Sequence, residues 1–164
     1  MQDIIKDKIS FIGLGKLGLP LSTIFAKNGV KVVGIDKQQT LIDKLKDGDV
    51  PFFEEGLQEN LKLSRDNIEY KSDYDGIVND TDISVILVNT QLGKNYSTVN
   101  VEYVIRDICK ELKKSDKSYH LFILSSTVMP KDIEDNFIPM IEELTDRKLN
   151  EGFGFSYVPD VVKL

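Results

Sequence analysis

The sequence has few of the residues that build disulfide-bonded proteins and metal centres, and no segment typical of a membrane protein. It contains one cysteine, one histidine and no tryptophan in 164 residues. A single cysteine, Cys109, excludes an internal disulfide and fits a reducing compartment, so we expect a cytoplasmic protein. Clustered histidines and cysteines are lacking, and we expect no metal site. No apolar run is long enough to span a bilayer, and the charged N-terminus is unlike a signal peptide, so no membrane partner is expected.

An excess of positive charge is also missing. The chain has 21 Lys and Arg against 27 Asp and Glu, a net charge of −6. Nucleic-acid-binding proteins normally present a basic face, so we expect no nucleic-acid partner. The hydrophobic content of 41% and charged content of 29% are typical of a globular protein, and the length suffices for one domain with its own core.

A glycine-rich turn is the most informative feature present. The stretch KISFIGLGKLGLP begins at Lys8 and places Gly13, Gly15 and Gly18 in G-x-G-x-x-G spacing directly after an apolar run. At that spacing the first glycine permits a tight turn, the second lets backbone amides approach a pyrophosphate, and the third lets a helix lie close to the strand. The alternative is a strand–helix turn that binds no ligand.

An acidic residue follows this turn at the distance that a dinucleotide site requires. Asp36 closes a second apolar run, KVVGID, and could accept hydrogen bonds from the ribose hydroxyls of adenosine. A carboxylate there repels a 2′-phosphate, which favours NAD over NADP, although Lys37 stands beside it. The alternative is a surface acid at the end of a strand.

Apolar runs and amphipathic segments alternate along the chain, which predicts an α/β fold: a doubly wound, Rossmann-like, mainly parallel six-stranded sheet with helices on both faces. We expect the first helix to bury Leu17, Leu21, Ile24 and Phe25, and Pro139 to kink the last helix or mark its first turn. Polar loops at 13–18, 90–98 and 125–130 follow strand ends and should converge on one crevice. The predicted strands are 8–13, 31–36, 68–71, 82–89, 119–126 and 153–158, and the helices 17–27, 38–46, 55–63, 99–114 and 131–144.

Five blocks, in order, resemble one known family. GLGKLGLPLS, VPFFEEGLQENL, VILVNT, SSTVMP and YVPDVVKL are similar to the N-terminal NAD-binding domain of the UDP-glucose/GDP-mannose (nucleotide-sugar) 6-dehydrogenases. The resemblance implies a homo-oligomeric parent enzyme of polysaccharide biosynthesis that oxidises the C6 alcohol of a UDP-sugar or related substrate to the acid with two NAD. It also implies a catalytic cysteine, lysine and asparagine in later parts of the chain.

The resemblance carries roles onto particular residues. Thr127 matches a threonine that lies by the cofactor and helps to hold the catalytic water, and Asp160 falls where the family usually has glutamate, at the edge of the active site. Thr127 has a simpler alternative, a strand-end hydroxyl bonded to local backbone. The catalytic assignments are Thr127 and Asp160, and the cofactor-binding assignments are Gly13, Leu14, Gly15, Lys16, Leu17, Gly18, Asp36, Asn89, Thr90, Ser126 and Thr127.

The chain departs from the family pattern at several positions. Gln91 stands where proline usually follows the threonine, Leu41 where a basic residue often follows the ribose acid, and Lys131-Asp132 where Gly-Thr is common. Asp160 is one methylene shorter than glutamate. The chain stops at Leu164, so we expect residues 1–164 to be a single NAD-binding domain truncated from a longer enzyme, lacking its substrate domain and binding dinucleotide weakly without catalysis.

The remaining candidates are assigned structural roles. Cys109 lies on the apolar face of a predicted helix, so we expect it to be a small core residue. His120 starts a predicted strand with no partner acid apparent, so we expect it to have a structural role rather than to act as a general base. Glu54 and Glu55 are interpreted as solvated. Two other functions stay open: the cofactor domain of a β-hydroxyacid dehydrogenase, and a stand-alone nucleotide-sensing module.

Overall fold

The fold is a six-stranded sheet with helices on both faces. A computed structural model describes residues 8–159. The sheet consists of β1 (Ile9–Ile12), β2 (Val32–Ile35), β3 (Ile68–Lys71), β4 (Ile83–Ile86), β7 (Leu121–Leu124) and β8 (Gly154–Tyr157), and a separate hairpin of β5 (Gln91–Leu92) and β6 (Asn95–Tyr96). The helices are α1 (Gly18–Lys27), α2 (Gln39–Asp47), α3 (Leu57–Ser64), α4 (Ile77–Asp80), α5 (Val99–Lys114) and α6 (Ile138–Thr145), which continues a π-helical segment, Asp132–Phe137.

All strand pairs in the sheet are parallel, and their order is β3-β2-β1-β4-β7-β8. The chain first winds outward from β1 to β3 and then crosses back to β4 on the other side of β1. The strand order therefore reverses between β1 and β4, where ligands bind in open α/β sheets. The predicted α/β, doubly wound, Rossmann-like class is confirmed.

Two separate cores explain why the sheet is covered on both faces. Side chains alternate along β1, so Ile9 and Phe11 pack with α1, α2 and α3, and Ile12 packs on the opposite face with α4, α5 and α6. Phe122 and Phe137 are fully buried in the second core. Burial on both faces is the reason that the strands read as apolar runs.

The sequence predicted six strands and located each of the main helices, with errors in two places. Residues 90–98 are not a loop throughout, because Gln91–Leu92 and Asn95–Tyr96 pair as an antiparallel hairpin. Helix 131–144 begins instead as a π-helical segment. Pro139 lies in the first turn of α6, where its missing N–H costs least.

The buried face of α1 also differs from the prediction. Ile24 is 39% exposed, whereas the fully buried residues include Gly18, Ser22 and Ala26, one helical turn apart. Small side chains on this face let α1 lie close to its neighbours, and Ser22 Oγ donates to the Leu19 carbonyl at 2.8 Å. Leu21 and Phe25 of the predicted face pack against the core, so apolar periodicity identified the helix and part of its inward face.

Cys109 is a core residue, as predicted, and His120 is also buried, which fits the structural role predicted for it. Cys109 is buried on α5, and burial raises the pKa of its thiol to about 12. His120 is fully buried, and its Nε2 lies 2.9 Å from Ser84 Oγ, which in turn lies 2.8 Å from Ser10 Oγ. Nδ1 of His120 has no hydrogen-bond partner among the described residues.

Two further observations concern residues 8–159. Their helices lack the combination of length and apolar composition that crossing a bilayer requires. Three or more His, Cys, Asp or Glu side chains do not come together in them in an arrangement that could hold a metal ion.

Burial of His120 makes the stability of the domain depend on pH. Burial lowers the pKa of the imidazole from 6.5 to about 4, so the unfolded chain takes up a proton at a higher pH than the folded chain does. The contribution of the neutral His120 to the free energy of unfolding should be fully present above pH 6.5. About 3 kcal/mol of it should be lost as the pH drops towards 4. In His120→Gln, urea unfolding at several pH values should show less of this loss. An unchanged pH dependence would contradict the assignment.

Candidate functional site

The largest crevice at the carboxyl ends of the strands lies at the switch in strand order. Its volume is about 860 Å³. Three loops line it, residues 15–18 after β1, 87–91 after β4 and 125–129 after β7, together with Lys94 and Tyr96 of the hairpin. The three polar loops predicted to converge do so.

The glycine turn has a shape that only glycine fits at two of its three positions. Gly13 has φ +97°, and a Cβ there would lie 2.5 Å from the Leu87 carbonyl oxygen. A Cβ on Gly18 would lie 1.9 Å from the Gly13 carbonyl oxygen. A Cβ on Gly15 would meet no atom within 4 Å, so the backbone at that position faces open space. The turn therefore packs tightly against the backbone of the protein at Gly13 and Gly18, and it leaves space for a ligand at Gly15.

The start of α1 presents unpaired backbone donors to this open space. The N–H groups of residues 15–18 form no hydrogen bonds within the described part of the chain, and no side chain caps the helix. Such a helix start carries a partial positive charge and is suited to an anion. Lys16 is exposed in the same turn and adds a full positive charge.

The Asp36 carboxylate is fixed at the end of β2. Its Oδ2 accepts the Leu14 N–H at 3.0 Å and its Oδ1 accepts the Gln38 N–H at 3.0 Å. These bonds join the end of β2 to the glycine turn. The Leu14 N–H is therefore already bonded to Asp36, and the Leu14 side chain is fully buried. Lys37 is exposed beside Asp36.

Asn89 and Thr90 bind the base of the hairpin. Asn89 Oδ1 accepts the Gln91 N–H at 2.9 Å, and the Asn89 carbonyl accepts Asn100 Nδ2 at 2.9 Å. The Thr90 carbonyl accepts the Ser97 N–H at 2.9 Å. Gln91, one of the departures from the family pattern, is the first residue of β5.

The two residues of the Ser-Thr pair after β7 have different environments. Ser126 is buried, and its Oγ donates to the Val88 carbonyl at 2.7 Å, which joins the loops after β4 and β7. Thr127 is exposed in the crevice, and its hydroxyl forms no hydrogen bond with residues 8–159. The simpler alternative for Thr127, a hydroxyl bonded to local backbone, is not what the structure shows, and the Ser126 hydroxyl bonds backbone of a different loop. Asp160 lies outside the described residues.

Sequence reasoning missed the hairpin as part of the site. Tyr96 and Lys94 line the crevice, and Asp132 lies behind it. A two-residue turn, Gly93-Lys94, connects β5 and β6, with Gly93 at φ +65°. Glycine at the first position of a two-residue turn is a hairpin signal, but strands of two residues are too short for alternation to reveal.

Comparison with known proteins identifies the domain. A family model described as "UDP-glucose/GDP-mannose dehydrogenase family, NAD binding domain" matches residues 7–163. The chain belongs to this family. NAD is the cofactor that its domain type binds, and the resemblance carried by the five sequence blocks is confirmed.

Individual relatives agree with this identification. The chain is 29% identical over 161 residues to a GDP-mannose 6-dehydrogenase from Pseudomonas syringae, covering 95% of this chain and 36% of the relative. A crystal structure of GDP-mannose dehydrogenase from Pseudomonas aeruginosa superposes with a TM-score of 0.89 at 29% identity, covering 95% of this chain and 36% of that one. UDP-N-acetyl-mannosamine dehydrogenase from Staphylococcus aureus superposes with a TM-score of 0.83 at 30% identity, covering 95% of this chain and 37% of that one. The chain thus spans little more than a third of each.

A β-hydroxyacid dehydrogenase was one of the alternatives. A 3-hydroxyisobutyrate dehydrogenase from Mycobacterium tuberculosis superposes with a TM-score of 0.57 at 19% identity, covering 94% of this chain and 40% of that one. This likeness shows a shared fold alone.

The glycine turn gives a matched pair of stability predictions. Gly18→Ala forces a Cβ against the Gly13 carbonyl, so we expect the free energy of unfolding to fall by about 3 kcal/mol. Gly15→Ala places its methyl group in open space, so its free energy of unfolding should stay within about 0.5 kcal/mol of the wild-type value. Urea unfolding measures both. Equal losses in the two variants would contradict the described turn.

Proposed function

We propose that this chain is a single NAD-binding domain of an oxidoreductase that oxidises the C6 alcohol of a nucleotide sugar to the acid in two NAD-dependent steps. The observation that carries the proposal is that the glycine turn and the Thr127 loop line one crevice at the switch in strand order, in a chain of this family. The Asp36 carboxylate is bonded to the same glycine turn through the Leu14 N–H. The family description covers both UDP-glucose and GDP-mannose, and a UDP-N-acetyl-mannosamine dehydrogenase is also similar to the chain, so the nucleotide sugar stays open among UDP-glucose, UDP-N-acetyl sugars and GDP-mannose.

The residues present fit a bound dinucleotide. The open space at Gly15 would admit a pyrophosphate, which the free N–H groups of residues 15–18 would bind and which Lys16 and the start of α1 would help to neutralise. Asp36 has both carboxylate oxygens oriented by backbone N–H groups and would accept the adenosine ribose hydroxyls with its remaining lone pairs. Leu14 would contribute through its N–H bond to Asp36.

The other end of the crevice would hold the reacting half of the cofactor. NAD supplies a hydride acceptor, and the loops that contain Asn89, Thr90 and Ser126 would place it by shape, since these residues fix backbone positions around the crevice. Thr127 has an exposed hydroxyl that can both donate and accept a hydrogen bond, which suits the proposed role of holding a water. Asp160 is proposed to act beside it, as the family resemblance implies.

Complete catalysis would need groups that this domain does not supply. Cys109 is the only cysteine of the sequence, and it is buried with a pKa of about 12, so its thiol is neither accessible nor ionised at neutral pH. We therefore propose that this domain presents NAD to a substrate-binding part and a catalytic thiol located elsewhere in a larger, homo-oligomeric enzyme of the cytoplasm that serves polysaccharide biosynthesis. By itself the domain should bind dinucleotide weakly and catalyse no oxidation.

Calorimetric titration with NAD and NADP tests the cofactor assignment. NAD should bind at least about tenfold more tightly than NADP, because Asp36 repels a 2′-phosphate. Asp36→Asn should weaken NAD binding and reduce the ratio between the affinities for NAD and NADP. Asp66 is an exposed acid before β3, and Asp66→Asn is the matched control. It should change neither the affinity for NAD nor the ratio between the two affinities. Equal affinities in the wild type, or no binding of either cofactor, would contradict the proposal.

A stand-alone sensing module would also bind NAD, and turnover separates it from a dehydrogenase domain. The test is the gene product that contains this domain, assayed for NADH formation with UDP-glucose, a UDP-N-acetyl sugar, GDP-mannose and a β-hydroxyacid. We expect oxidation of one nucleotide sugar with two NAD reduced per sugar. Oxidation of the hydroxyacid alone, or of nothing, would favour one of the alternatives.

A further inference from the structure

One tyrosine hydroxyl joins the tip side of the crevice wall, the β5–β6 hairpin, to the loop after β7. Tyr96, at the end of β6, donates its O–H to Asp132 Oδ2 at the start of the π-helical segment. The same hydroxyl accepts the Met129 N–H at 2.9 Å. One side chain therefore joins the hairpin, the loop after β7 and the helix that follows this loop.

Asp132 completes the arrangement from the helix side. Its Oδ2 also accepts the Met129 N–H at 2.9 Å, and its own N–H donates to the Met129 carbonyl at 3.2 Å. Lys131, directly before it, has φ +75°, a conformation that glycine favours. The pair Lys131-Asp132, which departs from the family pattern, thus makes the turn and supplies the carboxylate that binds Tyr96.

A second tyrosine hydroxyl contacts the same loop. Tyr157 of β8 accepts the Val128 N–H at 3.4 Å, so successive amides of the loop lie against tyrosine hydroxyls from β6 and β8. Thr127 comes directly before these two amides. The position of its exposed hydroxyl therefore depends on groups outside its own loop.

We propose that Tyr96 is a positioning residue: the bond between Tyr96 and Asp132, the Tyr96–Asp132 latch, holds the hairpin and the Thr127 loop together as the wall that receives the nicotinamide half of NAD. This inference rests on the proposed function. The latch lies beyond β4 and β7, whereas Asp36, which would bind the adenosine half, lies beyond β2 on the other side of the glycine turn. The latch should therefore affect one half of the cofactor and not the other.

The charge and protonation of the two groups suit a latch. Partial burial and the bond to Asp132 raise the pKa of the Tyr96 phenol, so its proton is present throughout the neutral range. A hydrogen bond from a neutral hydroxyl to a carboxylate is stronger than one between neutral groups. The latch also fixes the hairpin that carries Lys94 to the crevice.

Tyr96→Phe tests the latch, because it keeps the ring and removes the hydroxyl. Tyr103→Phe, on the exposed face of α5, is the matched control. Hydrogen exchange of the chain without ligand should become faster at Ser97 and Met129 in the first variant and stay unchanged in the second. Unchanged exchange in Tyr96→Phe would overturn the latch, whether or not NAD binds.

Ligand binding tests the positioning role separately. ADP contains the adenosine and pyrophosphate half of NAD but not the nicotinamide half. In Tyr96→Phe we expect the Kd for NAD to rise about fivefold and the Kd for ADP to stay unchanged, as measured by calorimetry. A purely structural effect would raise the Kd for NAD and the Kd for ADP equally. That result, or an unchanged Kd for NAD, would overturn the inference.

A double-mutant cycle identifies Asp132 as the partner. In the Asp132→Ala background, Tyr96→Phe should change the Kd for NAD by less than about twofold, because the latch is already broken. Full additivity would show that Tyr96 acts without Asp132 and overturn the latch. A wild-type chain that binds neither ADP nor NAD would overturn the proposed function and the positioning role with it, while the exchange measurement would still report on the latch.

Discussion

The nucleotide-binding edge of this sheet depends on how closely α1 approaches the end of β1. Gly18 lies so near the Gly13 carbonyl that a Cβ would fall 1.9 Å from it, and Gly13 itself lies against the loop after β4. This contact sets the direction of α1 and leaves its first N–H groups aimed into the crevice. Small residues along the inner face of α1, rather than its large apolar ones, continue the close approach down the helix.

Asp36 transfers the same constraint to β2. By accepting the Leu14 N–H it fixes the turn to the next strand, and its second oxygen is held by the Gln38 N–H. A carboxylate oriented in this way has little conformational freedom left to lose when it binds a ribose. The proposed adenosine half of the site is therefore built from residues close in sequence, whereas the proposed nicotinamide half is built from contacts between the hairpin, the loop after β7 and the following helix.

This difference explains how much the sequence could predict. Continuous apolar runs and the G-x-G-x-x-G spacing predicted the sheet, its class and the shape of the glycine turn, because those signals are local. The predicted apolar face of α1 was right in part: Leu21 and Phe25 pack against the core, whereas Ile24 is exposed and the small buried residues leave no hydrophobic signal. The hairpin was missed because strands of two residues have no periodicity, and the bond from Tyr96 to Asp132 spans 36 residues with no pattern to indicate it. The predicted roles of individual site residues stay predictions.

The most direct test is a crystal structure of this chain with NAD bound. We expect the pyrophosphate within hydrogen-bond distance of the N–H groups of residues 15–18, the adenosine ribose on Asp36, and the nicotinamide between Thr127 and Tyr96. A dinucleotide bound anywhere other than the carboxyl ends of β1 and β4, or one whose ribose does not reach Asp36, would contradict the proposed site.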